Sequence, residues 1–107
     1  MKDESQIEKL TLQTKKVIEK YKEEFPDVIM DKDYLPLKIT EEWGECLQTY
    51  LMLTKRGRQK GKSKTEIKKM FTEECADVFG YILLFANQEN IDLAEALNKK
   101  WFTHLEK

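Results

Sequence analysis

An all-α, four-helix bundle-like architecture is what this sequence predicts, on three observations. Apolar residues recur at three- and four-residue spacing through most of the 107 residues, the pattern of a helix with one buried face. Helix-start signals of the Ser-x-x-Glu or Asp-x-x-Glu kind recur at Ser5, Ser63 and Asp92, where a short side chain and an acid three residues later satisfy orphan backbone N–H groups. No stretch of useful length alternates apolar and polar residues with period two, so no strand is expected.

The elements follow in order. The first helix begins near Ser5 and carries Ile7, Leu10, Val17, Ile18, Tyr21 and Phe25 at helical spacing until Pro26 ends it. Residues 26–35 form a polar connection with Asp27, Asp31 and Asp33. Pro36 suits the first turn of a second helix, which runs to about Lys55 with Ile39, Trp43, Cys46, Leu47, Tyr50, Leu51 and Thr54 on its core side. A basic loop, KRGRQKGKSK, follows, broken by Gly57 and Gly61. The third helix runs from Thr65 to about Asn87, and the last starts at Asp92 and reaches the neighbourhood of the C-terminus.

Length and charge bound what such a chain does. One hundred and seven residues make a single domain, 1–107, with one core. Charged residues are 36% of the chain but nearly cancel to a net charge of −1, which gives no global attraction to nucleic acid or to an anionic membrane. The longest apolar run, Val78 to Ala86, falls short of the ~20 residues of a membrane span. The first ten residues, MKDESQIEKL, lack the apolar stretch of a signal peptide. Cys46 and Cys75 are too few for a disulfide framework and read as small buried residues. A cytoplasmic protein is the expectation.

The chemistry lies in acids. Glu42-x-x-Glu45 and Glu74-x-x-Asp77 each carry a further Glu in front, Glu41 and Glu73. A three-residue step sets both members of a pair on one side of a helix. At about 100° per residue, Glu74 falls among Ile67, Met70, Val78, Tyr81 and Phe85, and Asp77 between the directions of Met70 and Leu84. Glu42 sits at the edge of its own apolar arc, beside Cys46 and Leu53. Helical carboxylates are usually solvated; these face inward, which is costly unless they are neutralised, paired or bound to a cation. The segments EEWGECLQTYLML (41–53) and EECADVFGYILLF (73–85) also align without gaps, so two helices packed side by side bring their acids to one volume. An all-oxygen ligand set suits Mg²⁺ or Mn²⁺ rather than Zn²⁺. A di-iron bundle is not indicated, because it needs Glu-x-x-His motifs and His104 is the only histidine.

Glu41-Glu42-x-x-Glu45, then 28 intervening residues, then Glu74-x-x-Asp77, resembles the signature of the all-α nucleoside triphosphate pyrophosphohydrolases, the superfamily of MazG, the dimeric dUTPases, dCTP pyrophosphatases and phosphoribosyl-ATP pyrophosphohydrolases. The wording EEWGE and EECADVFGYILL is MazG-like, and the resemblance covers about residues 35–105. It implies a MazG-type fold, assembly into a homodimer or homotetramer, and hydrolysis of a nucleoside triphosphate to monophosphate and pyrophosphate. It implies Mg²⁺, with Mn²⁺ as a substitute, on Glu42, Glu45, Glu74 and Asp77. Glu41 is the candidate general base or an outer-shell group. Relatives carry on the last helix a Lys followed four residues later by Arg or Asn; Lys100 matches the first, and His104, still able to donate to a phosphate though more weakly, replaces the second.

The remaining cations are less specific. Lys69 stands just before the second motif, within reach of a phosphate or on the surface. Lys55, Arg56, Arg58, Lys60, Lys62 and Lys64 form a dense positive stretch without interleaved aromatics; it steers triphosphates or is simply solvated, and makes a poor nucleic-acid platform. Trp43, Tyr50, Phe71, Phe79, Tyr81, Phe85 and Trp101 read mostly as core, with one or two lining a base pocket. The leading expectation is a Mg²⁺-dependent pyrophosphohydrolase in a house-cleaning role, with a phosphoribosyl-ATP substrate as a lesser option. The alternative is a non-catalytic helical module that binds nucleotide or nucleic acid.

Overall fold

The computed structural model describes residues 5–106, and among them every regular element is a helix: α1 (Gln6–Glu24), α2 (Tyr34–Leu53), α3 (Lys64–Gln88), α4 (Leu93–Lys100) and a terminal 3₁₀ turn, Phe102–Glu106. The all-α expectation therefore holds. The ends of the helices are set by local chemistry. Ser5 Oγ accepts from the Glu8 backbone N–H at 3.1 Å, and Asp92 Oδ1 from that of Glu95 at 3.0 Å. Among the described residues the box is reciprocal at α3 alone, Glu66 N–H to Ser63 Oγ and Ser63 N–H to Glu66 Oε1, both at 3.1 Å. Those two bonds from Ser63, backbone first, hold the Glu66 carboxyl below its ordinary value.

Three boundaries differ from the sequence reading. Helix α2 starts at Tyr34, two residues before Pro36, which is permitted because the N–H groups of the first turn lack intrahelical partners anyway. It stops at Leu53, with Lys55 in a left-handed conformation (φ 61°) and Arg56 N–H bonded back to Leu51 C=O at 2.8 Å. That is a Schellman closure with lysine in the usual glycine position. Helix α3 ends the same way, with Asn90 at φ 57° and Ile91 N–H on Ala86 C=O at 2.8 Å. The last helix breaks after Lys100, and the rest of the described chain tightens into the 3₁₀ turn rather than continuing as α-helix.

The chain divides into two compact units, Asp33–Ile82 and the described part of Met1–Lys32 with Leu83–Lys107. In the Asp33–Ile82 unit, α2 pairs with the first part of α3. Lys38 lies over the Tyr81 ring, Cys46 faces Cys75, and Tyr50 stacks at a tilt on Phe71. Residue numbers rise along one helix as they fall along the other, so the two run antiparallel. Cys46, Met52 and Ile67 are buried between them. In the other unit, Leu83, Leu84 and Ala86 of α3 are buried, and Gln88 Nε2 donates to Lys32 C=O at 2.9 Å. No α1 residue is fully buried, although its apolar stripe is present; Tyr21 and Phe25 pack on each other with ring centres 4.7 Å apart.

Candidate metal centre

Antiparallel pairing decides which acids meet. Because α2 and α3 run in opposite directions with Cys46 against Cys75, the two acid motifs lie side by side. Carboxylate oxygens of Glu42, Glu45 and Glu74, one from each residue, lie within 4.8 Å of one another. Glu42 retains only 9% of its exposure, Glu74 is half-buried, and Glu45 is open to solvent. The group is thus a small acidic funnel, closed at Glu42 and open at Glu45.

Asp77 is exposed and lies outside that close set, yet it is near enough for its charge to act on both Glu42 and Glu74. Burial pushes the Glu42 carboxyl upward, reinforced by a hydrogen bond and charge from Glu45 and by Asp77, and opposed by Lys38. Burial likewise raises Glu74, with Asp77, Glu45 and Glu73 adding to it. The most informative atoms are Glu42 Oε2 and Glu74 Oε2: both are buried and neither has a hydrogen-bond partner. Two inward acceptors left unsatisfied, at a place where like charges crowd, are what a hard cation with oxygen ligands would relieve. Glu42, Glu45 and Glu74 could hold such a cation, and their all-oxygen chemistry is of the kind Mg²⁺ or Mn²⁺ accepts.

Glu41 points to the exposed side of α2 and is ion-paired with Lys38. Lys38 also reaches Glu42 Oε1 at 3.5 Å and sits 5.7 Å from the Tyr81 ring centre. Partial burial works against its charge, but the Glu41 hydrogen bond and the nearby Tyr81, Glu41 and Tyr34 outweigh this and raise its pKa above the ordinary lysine value. Burial, with Tyr34 nearby, moves Tyr81 up to about 12. Lys38 was absent from the sequence-derived candidates. Its signal was there, a lysine three and four residues before Glu41 and Glu42 on one helical face. Lys69 is exposed on α3. Lys100 closes α4 and His104 lies in the 3₁₀ turn, both exposed and both in the other unit.

The two cysteines complete the surroundings. Cys46 is buried at 1% exposure, as expected, whereas Cys75 is exposed, contrary to the reading of both as small buried residues. Their sulfurs are 3.6 Å apart. Burial, with a contribution from Cys75, pushes the Cys46 thiol up to about 11, so it is protonated at neutral pH. No described helix is long and apolar enough to cross a membrane. Comparison with family models, curated proteins and solved structures found no match to this chain.

Proposed function

We propose that this chain is a Mg²⁺-dependent nucleoside triphosphate pyrophosphohydrolase of MazG-like type, yielding nucleoside monophosphate and pyrophosphate. The observation that carries the reading is the pair of orphaned, buried oxygens on Glu42 and Glu74, converging with Glu45 in the motif order that resembles that superfamily. The reaction adds water across the α–β phosphoanhydride: a new P–O bond forms to the water oxygen and the bridging P–O bond breaks.

Each residue then has a task. Glu42, Glu45 and Glu74 hold the cation, with Asp77 completing the rim. When bound, the cation supplies charge neutralisation for the phosphates and lowers the pKa of coordinated water. A carboxylate at the open side receives the proton; Glu41 is the proposed base, with Lys38 limiting its freedom through their ion pair. Lys69, in the same unit as the acids, is a proposed phosphate donor. Exposed apolar residues on α2, with Trp43 at 52% and Leu47 and Tyr50 on successive turns, support assembly into a homodimer or homotetramer. A MazG-type fold and a cytoplasmic house-cleaning role belong to the same proposal.

The test is incubation of the full chain with Mg²⁺ and a panel of canonical and modified ribo- and deoxyribonucleoside triphosphates, products being separated by ion exchange. Monophosphate plus pyrophosphate, abolished by chelator and by Glu74→Ala, is the expected result. Intact triphosphates throughout the panel, with metal shown to be bound, would refute the general hydrolase reading and leave a specialised substrate such as phosphoribosyl-ATP. A second reading, a non-catalytic nucleotide- or nucleic-acid-binding module, draws on the exposed cations Lys55, Arg56, Arg58, Lys60, Lys62 and Lys64. It predicts salt-sensitive binding of an oligonucleotide without turnover.

A further inference from the structure

We propose that Cys46 and Cys75 are a peroxide-responsive thiol pair whose closure into a disulfide weakens cation binding at the adjacent acidic triad. The output half of this inference rests on the metal-centre reading above; the thiol half does not. The two sulfurs face each other at 3.6 Å between α2 and α3. Their exposures differ in a useful way: Cys75 is open to solvent, and Cys46 is buried at 1%. One thiol is available to a small oxidant, and its neighbour is shielded from it yet within reach of the product.

The chemistry balances with a hydroperoxide as oxidant. The Cys75 sulfur attacks the peroxide O–O bond, giving a sulfenic acid and releasing water or the corresponding alcohol. The Cys46 sulfur then attacks the Cys75 sulfur; the S–O bond breaks, a second water leaves and the S–S bond forms. Two thiols are oxidised by two electrons and the peroxide is reduced by two. A dithiol reductant reverses the step by exchange.

Position makes the pair a device rather than a stray oxidation site. Cys46 follows Glu45 directly and lies one helical turn beyond Glu42, while Cys75 follows Glu74 directly. Every member of the triad is therefore within a turn of one of the sulfurs. A disulfide requires sulfurs at about 2.05 Å, so the pair must close by roughly 1.5 Å from its present 3.6 Å. The two helices and the side chains on them must adjust to allow it. Mg²⁺-type coordination demands near-ideal octahedral geometry, and ligand distances tolerate only about 0.2 Å of error.

The full chain is treated with hydrogen peroxide, then split between non-reducing intact-mass measurement and Mn²⁺ binding followed by electron paramagnetic resonance. The expected result is a loss of about 2 Da from one monomer, a fall in Mn²⁺ affinity of about tenfold or more, and restoration of both by dithiothreitol. Cys75→Ser, at an exposed position, abolishes the mass loss and makes Mn²⁺ affinity insensitive to peroxide; Cys46→Ala behaves alike. Sulfinic acid at Cys75 without an intramolecular link overturns the thiol pair. A clean disulfide with unchanged Mn²⁺ affinity overturns the switch. Absence of Mn²⁺ binding even in the reduced protein overturns it too, through the metal reading, and the mass loss then shows which half failed.

Discussion

Glu42→Gln has opposite expected effects with and without a divalent cation. Without metal, Glu42 places a carboxylate among Glu45, Glu74 and Asp77 with one oxygen buried and unpartnered. Two unit charges within 4.8 Å of one another repel by roughly 3.5 kcal/mol or more at an effective dielectric of about 20. Burial and the neighbouring carboxylates raise the Glu42 carboxyl, so uptake of a proton offsets part of this repulsion as pH falls. A buried acceptor without a partner costs about 1–3 kcal/mol. The amide keeps the side-chain shape, removes the charge and supplies two donors toward the neighbouring carboxylates. Against that stands the Lys38–Glu42 ion pair at 3.5 Å, a contact of about 0–1 kcal/mol. The net expectation in chelator is stabilisation of about 1 kcal/mol, or about 4–8 °C in Tm for a domain near 100 residues. With Mg²⁺ or Mn²⁺ at 100 times Kd, the wild type gains about 2.7 kcal/mol, and the variant gains little because a ligand is lost. Thermal denaturation of both proteins, in chelator and in saturating metal, should therefore show the order of Tm invert. If Glu42→Gln is less stable than wild type in chelator and metal leaves both unchanged, Glu42 is an ordinary structural residue and the metal centre is refuted.

Other outcomes follow from the same geometry. Glu42 and Glu74 have pKa values raised above the ordinary carboxylate value of 4.5 in the fold. The protonated folded form is therefore favoured, and metal-free stability is fully present below about pH 4.5 and declines as pH rises through the raised values; denaturant titrations in chelator from pH 4 to 8 check this, and a flat or rising profile contradicts it. Metal affinity should instead increase over that range, as the ligands deprotonate. Glu74→Ala or Asp77→Ala should lower turnover by about 100-fold or more if these acids hold the cation of the reaction, and retention of full hydrolysis by either would sink that role. Ile67→Ala, at 2% exposure between α2 and α3, should cost about 2–5 kcal/mol, against about 1 kcal/mol for Ser63→Ala at the reciprocal cap of α3. Equal losses by urea denaturation would mean that the α2–α3 contact is not the core of its unit.

The sequence by itself determined the helices and the inward direction of Glu42 and Glu74, whereas Asp77, expected to face inward as well, is exposed because the packing of α2 on α3 does not cover it. The 3.6-residue period and the Ser-x-x-Glu pattern act over a single turn, so α1, α3 and the start of α4 were legible within a residue or so. Helix ends were less legible because they depend on backbone closure: Lys55 and Asn90 occupy left-handed conformations that composition flags for the asparagine but not for the lysine. Glu74 was placed inside the apolar arc from angle alone, and the structure leaves its Oε2 buried and unpartnered.

Only the tertiary structure decided the rest, because it depends on how one helix lies against another. The packing of α2 on α3 brings Glu42, Glu45 and Glu74 into one close set and leaves Asp77 exposed outside it. The same pairing brings Lys38 over Tyr81 and sets Cys46 against Cys75, pairs separated by tens of residues and invisible to any local pattern. Burial of Cys46 and exposure of Cys75 likewise turn on a rotation of side chains about a helix axis that neighbouring packing, and not residue type, sets.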